Sequence, residues 1–226
     1  MWKLLKYLKK YLNEDKESMS YLINEASNKH NVVRKYKDEL HHFRKLRNVI
    51  IHDSKEGEYI ASPFEGTIRR FEKVYKEISD PPKVYTKGNL EVKAFNSEDK
   101  LYEVLEEVKK HNFTQFPIYE NQENKKFKGL LTTNGITNAL ANMFSLEDGG
   151  VILGDDLQIK EILPYEEYEE NYIFVPRDFN MYEAIDAFNQ EKKLIDALLV
   201  THSGKPTESL LGIVTVWDVM RFADSL

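Results

Sequence analysis

The chain has 226 residues, 41% of them hydrophobic and 31% charged, with a formal net charge of −6 and no cysteine. That length suits two compact units better than one, and the composition excludes a disordered chain. The lack of cysteine excludes a disulfide framework, a zinc knuckle and a thiol nucleophile, and cytoplasm is the expected compartment.

In the opening stretch MWKLLKYLKKYL, Lys3, Lys6, Lys9 and Lys10 interrupt the apolar run that a signal peptide or membrane span needs. At about 100° per residue these lysines share one face, and Leu4, Leu5, Leu8, Tyr11 and Leu12 the other. The pattern predicts an amphipathic helix over Trp2–Leu12 that docks on its own domain rather than on a membrane. Further helices are predicted from Asp15 to Lys29, from Val32 to Ile51 and from Phe64 to Ile78, with no competing strand pattern. In the long one Val33, Tyr36, Leu40, Phe43 and Ile50 form the apolar stripe of a bundle helix.

The long helix closes on LRNVIIHD, Leu46 to Asp53. Arg47 projects close to the middle of the stripe, where an unpaired guanidinium costs several kcal/mol, so an interface, an acid or an anion is expected beside it. Asn48 and His52 are i, i+4 neighbours on an adjacent face. A permanent cation, an amide and an imidazole at one helix end are what metal-free RNA cleavage uses, with His as acid or base and Arg for the phosphorane charge. The same residues would equally tie helices together and favour a helix C-terminus. The string Arg47-Asn48-x-x-x-His52 at the end of a bundle helix resembles the HEPN domains. That resemblance implies an HEPN-like helical bundle over 1–82, a homodimer that brings two motifs together, RNA as a possible partner and, in active members, metal-independent endoribonuclease activity with Arg47, Asn48 and His52 as its residues.

Residues 1–83 hold 18 Lys and Arg against 13 Asp and Glu, a net +5, whereas the rest of the chain nets −11. SDPPKVYTKGN, Ser79 to Asn89, falls where the sign changes, and its paired prolines cannot continue a helix, so the domain boundary is placed there.

Beyond it the chain repeats itself. LYEVLEEV (Leu101–Val108) and MYEAIDAF (Met181–Phe188) align at an offset of 80, and Gly129 and Gly212 at an offset of 83. The first copy predicts a strand at Glu91–Phe95, a helix at Lys100–Lys110, strands at Gln115–Tyr119 and Phe127–Thr132, and a helix at Ile136–Met143. Neither copy can bury both sheet faces alone, so the two should pack as a pseudo-two-fold pair. Two tandem β-α-β-β-α modules, each with a Gly-h-h-Thr strand end, resemble a pair of CBS domains over about residues 84–226. The implied fold is α+β: a helical bundle, a first module over 84–145, a connector over 146–170 and a second module over 171–226.

GIVTVWDVM (Gly212–Met220) has Thr215 at a strand-to-helix junction and Asp218 three residues on, the spacing of a helix N-cap with an acid at its third residue. The same groups suit a ligand: hydroxyl and free N–H groups for phosphate, an ionised carboxylate for a ribose diol. The CBS resemblance implies that Thr215 contacts phosphate and Asp218 ribose, with adenine held around Phe174, Val175 and Pro176 and around Ala197 and Leu198. The first copy, GLLTTNGIT, keeps Thr132 but has Gly135 in place of the acid, which predicts one good cleft and one empty, phosphate-only or structural. Arg177 and Arg221 are candidates for phosphate contact or plain solvation, and Trp217 and Met220 are expected to face a neighbouring helix or a second molecule. The acids of YEEYEEN, Tyr165 to Asn171, are expected to be solvated, and no metal site is expected.

No Walker loop and no G-x-S-x-G elbow occurs. Two readings remain: a regulatory protein whose CBS pair senses an adenosine-type nucleotide such as AMP or ATP and controls the helical domain, needing no cofactor, or a nucleotide-gated ribonuclease.

Overall fold

The computed structural model describes residues 1–52, 62–87, 92–121, 126–143, 156–190 and 193–224; the side chains of His52 and Lys87 are outside the described set. The chain divides into two compact units, Met1–Pro82 and Lys83–Leu226.

The first unit is helical where described. α1 (Trp2–Leu12) buries Leu4 and Leu8 completely and turns Lys3, Lys6 and Lys10 outward, with Lys9 half-buried. It ends at Asn13, whose left-handed backbone (φ 51°) returns an N–H to the carbonyls of the last turn. α2 (Met19–Lys29) starts four residues later than the pattern suggests, because the Ser18 hydroxyl accepts from the Tyr21 N–H and caps it there. The predicted long helix is two: α3 (Asn31–Lys35) and α4 (Lys37–His52), broken at Tyr36. Tyr36 is buried and donates its hydroxyl to Glu77 Oε2 at 2.6 Å on α5 (Glu65–Ser79). Arg70 of α5 clamps Glu39 of α4 through two bonds of 2.7 and 2.9 Å, and Phe43 meets Phe71 edge to face.

The second unit opens with a short helix, α6 (Val84–Lys87), and then contains two three-stranded sheets with helices. In order come β1 (Phe95–Asn96), α7 (Leu101–His111), β2 (Gln115–Tyr119), β3 (Phe127–Thr132), α8 (Thr133–Met143), α9 (Ile159–Ile162), β4 (Tyr172–Pro176), α10 (Met181–Phe188), β5 (Ala197–Thr201), β6 (Gly212–Thr215) and α11 (Val216–Ala223). The central strand of each sheet pairs parallel with the strand before it and antiparallel with the strand after it. β1 is two residues long, shorter than the predicted Glu91–Phe95, and Glu91 itself lies outside the described residues.

Side-chain alternation along the strands builds two cores. Leu131 packs with Phe116, Ile118, Val104 and Ile136 against the helices of its own module. Its neighbour Leu130 points the other way and meets Ala197, Leu199 and Ile213 of the second sheet, with Phe127, Tyr172 and Phe174 around them. The three rings sit 4.8 to 5.8 Å apart at steep angles. Burying side chains of this size contributes about 1.5–3 kcal/mol each, which joins the two modules into one core. Among the described residues no helix is long and apolar enough to cross a membrane.

Candidate functional site

Register decides which residues of the second module meet. Ala197 of β5 lies between Tyr172 of β4 and Thr215 of β6, so these three form a row at one end of the sheet. There β6 turns directly into α11, and the first residues of that helix leave N–H groups without intrahelical partners. The N–H and hydroxyl of Thr215 both donate to Asp218 Oδ2, at 2.9 and 3.0 Å. Asp218 Oδ1 has no hydrogen bond among the described residues, and both side chains are half-buried. Thr215 and Asp218 are thus together, with one carboxylate oxygen left over.

The other sequence-derived contacts divide. Ala197 and Leu198 lie on the right strand but are fully buried, so only their main chain borders the junction. Val175 and Pro176 pair with Val200 and Thr201, three to four residues along β4 from the Thr215 row, about 10–13 Å at a strand's rise. Phe174 is packed in the ring cluster between the sheets. The β4 residue beside the junction is Tyr172, which an alternating strand pattern does not single out. Arg177 and Arg221 are exposed, as are Trp217 (69%) and Met220 (51%) on α11.

The first module has its own arrangement. Thr132 ends β3 as Thr215 ends β6, and its hydroxyl accepts from the Gly135 N–H at 3.0 Å. The Thr132 N–H donates to Glu166 Oε1 at 2.6 Å and its hydroxyl to Glu166 Oε2 at 2.9 Å. These are the same two donors that Asp218 takes in the second module, met by a carboxylate from the connector. The acids of YEEYEEN are therefore not all solvated: Glu166 is half-buried and bonded, which corrects the sequence expectation. The connector is fastened to deliver it. Leu101 and Lys160 each donate a main-chain N–H across the joint, to Leu157 and Ser97 carbonyls at 2.8 Å, and a 3-10 turn at Leu163–Tyr165 precedes Glu166. A Cβ at position 135 would overlap the Glu166 carboxylate, so glycine there makes the room.

Glu166 belongs to a partly buried polar chain. Asn171, 1% exposed, divides its amide N–H groups between Glu166 Oε2 (3.3 Å) and Asp196 Oδ2 (3.0 Å), and Asp196 immediately precedes Ala197 of the Thr215 row. Burial raises the Glu166 carboxyl from 4.5 to about 6 against the opposing pull of the Thr132 bonds, with the Asp196 charge adding to the rise. Asp196 is raised as well, first by burial. Because the folded pKa of Glu166 lies above the unfolded one, its contribution is fully present below about pH 4.5 and is lost as pH rises through about 6. At about 1.4 kcal/mol per pH unit, that window is worth at most about 2 kcal/mol, reduced by solvent screening because the group is only partly buried. Denaturant midpoints measured from pH 4 to 7 are expected to fall with pH in the wild type and to lose that component in Glu166→Gln.

In the helical unit Arg47 lies beside Phe43 and Ile50 of the stripe but is exposed, and it donates to Asn48 Oδ1 at 3.3 Å. The stripe itself opens to solvent at this end of α4, where Leu46, Val49 and Ile51 are exposed as well. His52 closes α4 and its side chain lies outside the described residues. Arg47 and Asn48 share a cleft of about 590 Å³ with Arg44, Ser18, Ser20 and Trp2. Arg44, absent from the sequence-derived set, holds a buried Nε with no hydrogen-bond partner among the described residues.

A family model for the CBS domain matches residues 86–142 and 160–225, more than half of the chain. Solved structures with related folds include the CBS-domain pair of protein MJ0100 in complex with methylthioadenosine and S-adenosyl-L-methionine, at 20% identity and a TM-score of 0.46, covering 63% of this chain and 96% of that one. CBSX2 in complex with AMP matches at 14% identity and a TM-score of 0.45, covering 64% and 97%. Hypoxic Response Protein I with two coordinated zinc ions matches at 16% and 0.42, covering 62% and 98%. No curated protein matches the chain.

Proposed function

Because this chain belongs to the CBS-domain family, we propose that residues 83–226 sense an adenosine-type nucleotide at the β6–α11 junction and govern the helical unit. The observation that carries this is the Thr215–Asp218 pair: a helix start, a hydroxyl and a carboxylate whose Oδ1 is unengaged among the described residues. Phosphate is favoured by the helix N–H groups and the hydroxyl, and a ribose diol by the carboxylate. A helix cap alone uses the same residues, so a ligand titration discriminates. AMP, ATP, S-adenosyl-L-methionine and cyclic di-AMP, with GTP as control, are to be screened by thermal shift. A ligand at a hundred times its Kd adds about 2.7 kcal/mol to native stability. Failure of every adenosine compound at millimolar concentration would return Asp218 to a capping role.

A second reading, a nucleotide-gated ribonuclease in an HEPN-like homodimer, is favoured by the cleft that gathers Arg44, Arg47 and Asn48. Two guanidiniums beside an amide suit the charge of a phosphodiester under attack. The homodimer draws support from Leu46, Val49, Phe64 and Ile68, apolar side chains exposed near the same helix end. Expected for this reading is cleavage of single-stranded RNA in EDTA, lost at least about a hundredfold in His52→Ala and Arg47→Ala. Cleavage retained in both variants would assign it to a contaminant.

A further inference from the structure

Thr215 receives its carboxylate from three residues away, whereas Thr132 receives one from 34 residues away, across the connector. The distant carboxylate is held harder. It takes the two Thr132 donors on separate oxygens and a third bond from Asn171, while Asp218 spends one oxygen on both Thr215 donors. Thr132 is 5% exposed, so the N–H and hydroxyl that a phosphate would use are consumed inside the protein. Gly135 at the position equivalent to Asp218 leaves the space that Glu166 fills.

We propose that Glu166 is a built-in occupant of the first module's site, a connector carboxylate standing where the second module carries Asp218, which leaves one open nucleotide site per chain. The stoichiometry rests on the nucleotide reading above; the occupancy does not, and the two are measured separately.

Occupancy is tested without ligand by a double-mutant cycle on Gly135→Ala and Glu166→Ala. Gly135→Ala is expected to lower Tm by about 2–10 °C in the wild type and to raise it in the Glu166→Ala background, because the nearest atoms the methyl would meet all belong to that carboxylate. Equal shifts in both backgrounds overturn the occupancy. Stoichiometry is tested by calorimetric titration with AMP and ATP. One equivalent is expected for the wild type, none for Asp218→Ala, and two for Gly135→Asp/Glu166→Ala, which restores the local acid. Two equivalents in the wild type, or one in that double variant, overturn the closure. If the double variant does not fold, Thr132 amide exchange decides: at least about tenfold slower in the wild type than in Glu166→Ala is expected, and equal rates overturn the closure. A coupled cycle with no adenosine compound bound by any variant retains the occupant and rejects the nucleotide reading.

Discussion

Nucleotide affinity in Asp218→Asn is expected to fall about 10- to 100-fold, while the Tm of the free protein stays within about 2 °C of the wild type. The two effects separate because the amide oxygen of Asn at this third helical position still accepts from the Thr215 N–H and hydroxyl, as Asp218 Oδ2 does at 2.9 and 3.0 Å. What Asn lacks is charge and a second acceptor. A hydrogen bond to a charged group contributes about 1.5–3 kcal/mol, and 1.4 kcal/mol is tenfold in affinity. Calorimetric titration with the best compound from the screen, together with thermal melts of the free proteins, measures both. An affinity unchanged in Asp218→Asn would mean that Asp218 caps α11 and does not touch the ligand.

Gly135→Ala is expected to destabilise the Lys83–Leu226 unit by about 1–3 kcal/mol, a result opposite in sign to the usual gain. Gly-to-Ala inside a helix ordinarily gains up to about 1 kcal/mol. Here the new methyl overlaps the Glu166 carboxylate, the far end of a flexible side chain that can swing away without moving backbone. The cost is therefore not steric. It is the loss of charge-assisted bonds from the Thr132 N–H and hydroxyl, at about 1.5–3 kcal/mol each, and the exposure of those buried donors without a partner. That loss is reduced by the helix gain and by relief of a carboxylate whose burial already raises its pKa to about 6. Urea denaturation of the wild type, Gly135→Ala, Glu166→Ala and the double variant measures it. Stabilisation by Gly135→Ala in the wild type would place Glu166 elsewhere in solution.

Much of the architecture was legible because it rests on local periodicity. β2 and β3 occupy the predicted Gln115–Tyr119 and Phe127–Thr132, and α1 the predicted Trp2–Leu12. The single long helix was not, because its apolar spacing runs on through Tyr36; the break accompanies a hydroxyl bond to Glu77, 41 residues away. The Thr215–Asp218 pair was legible as a three-residue spacing across a strand-to-helix turn. Tyr172 was not legible, because a strand pattern does not say which of its residues lies level with Thr215; the pairing register places Tyr172 there.

The sequence by itself determined that this chain is a helical unit followed by a duplicated strand-and-helix module, and that the second copy carries an acid which the first lacks. Each of these is a pattern over a few neighbouring residues, where backbone geometry alone sets which side chains share a face. Only the tertiary structure decided what replaces the missing acid. Glu166 sits in a run of connector carboxylates that read alike, and the one that reaches Thr132 is selected by docking of α9 and its following turn on the first module. A glycine records that an acid is absent; which distant carboxylate fills the space depends on packing between segments far apart in sequence.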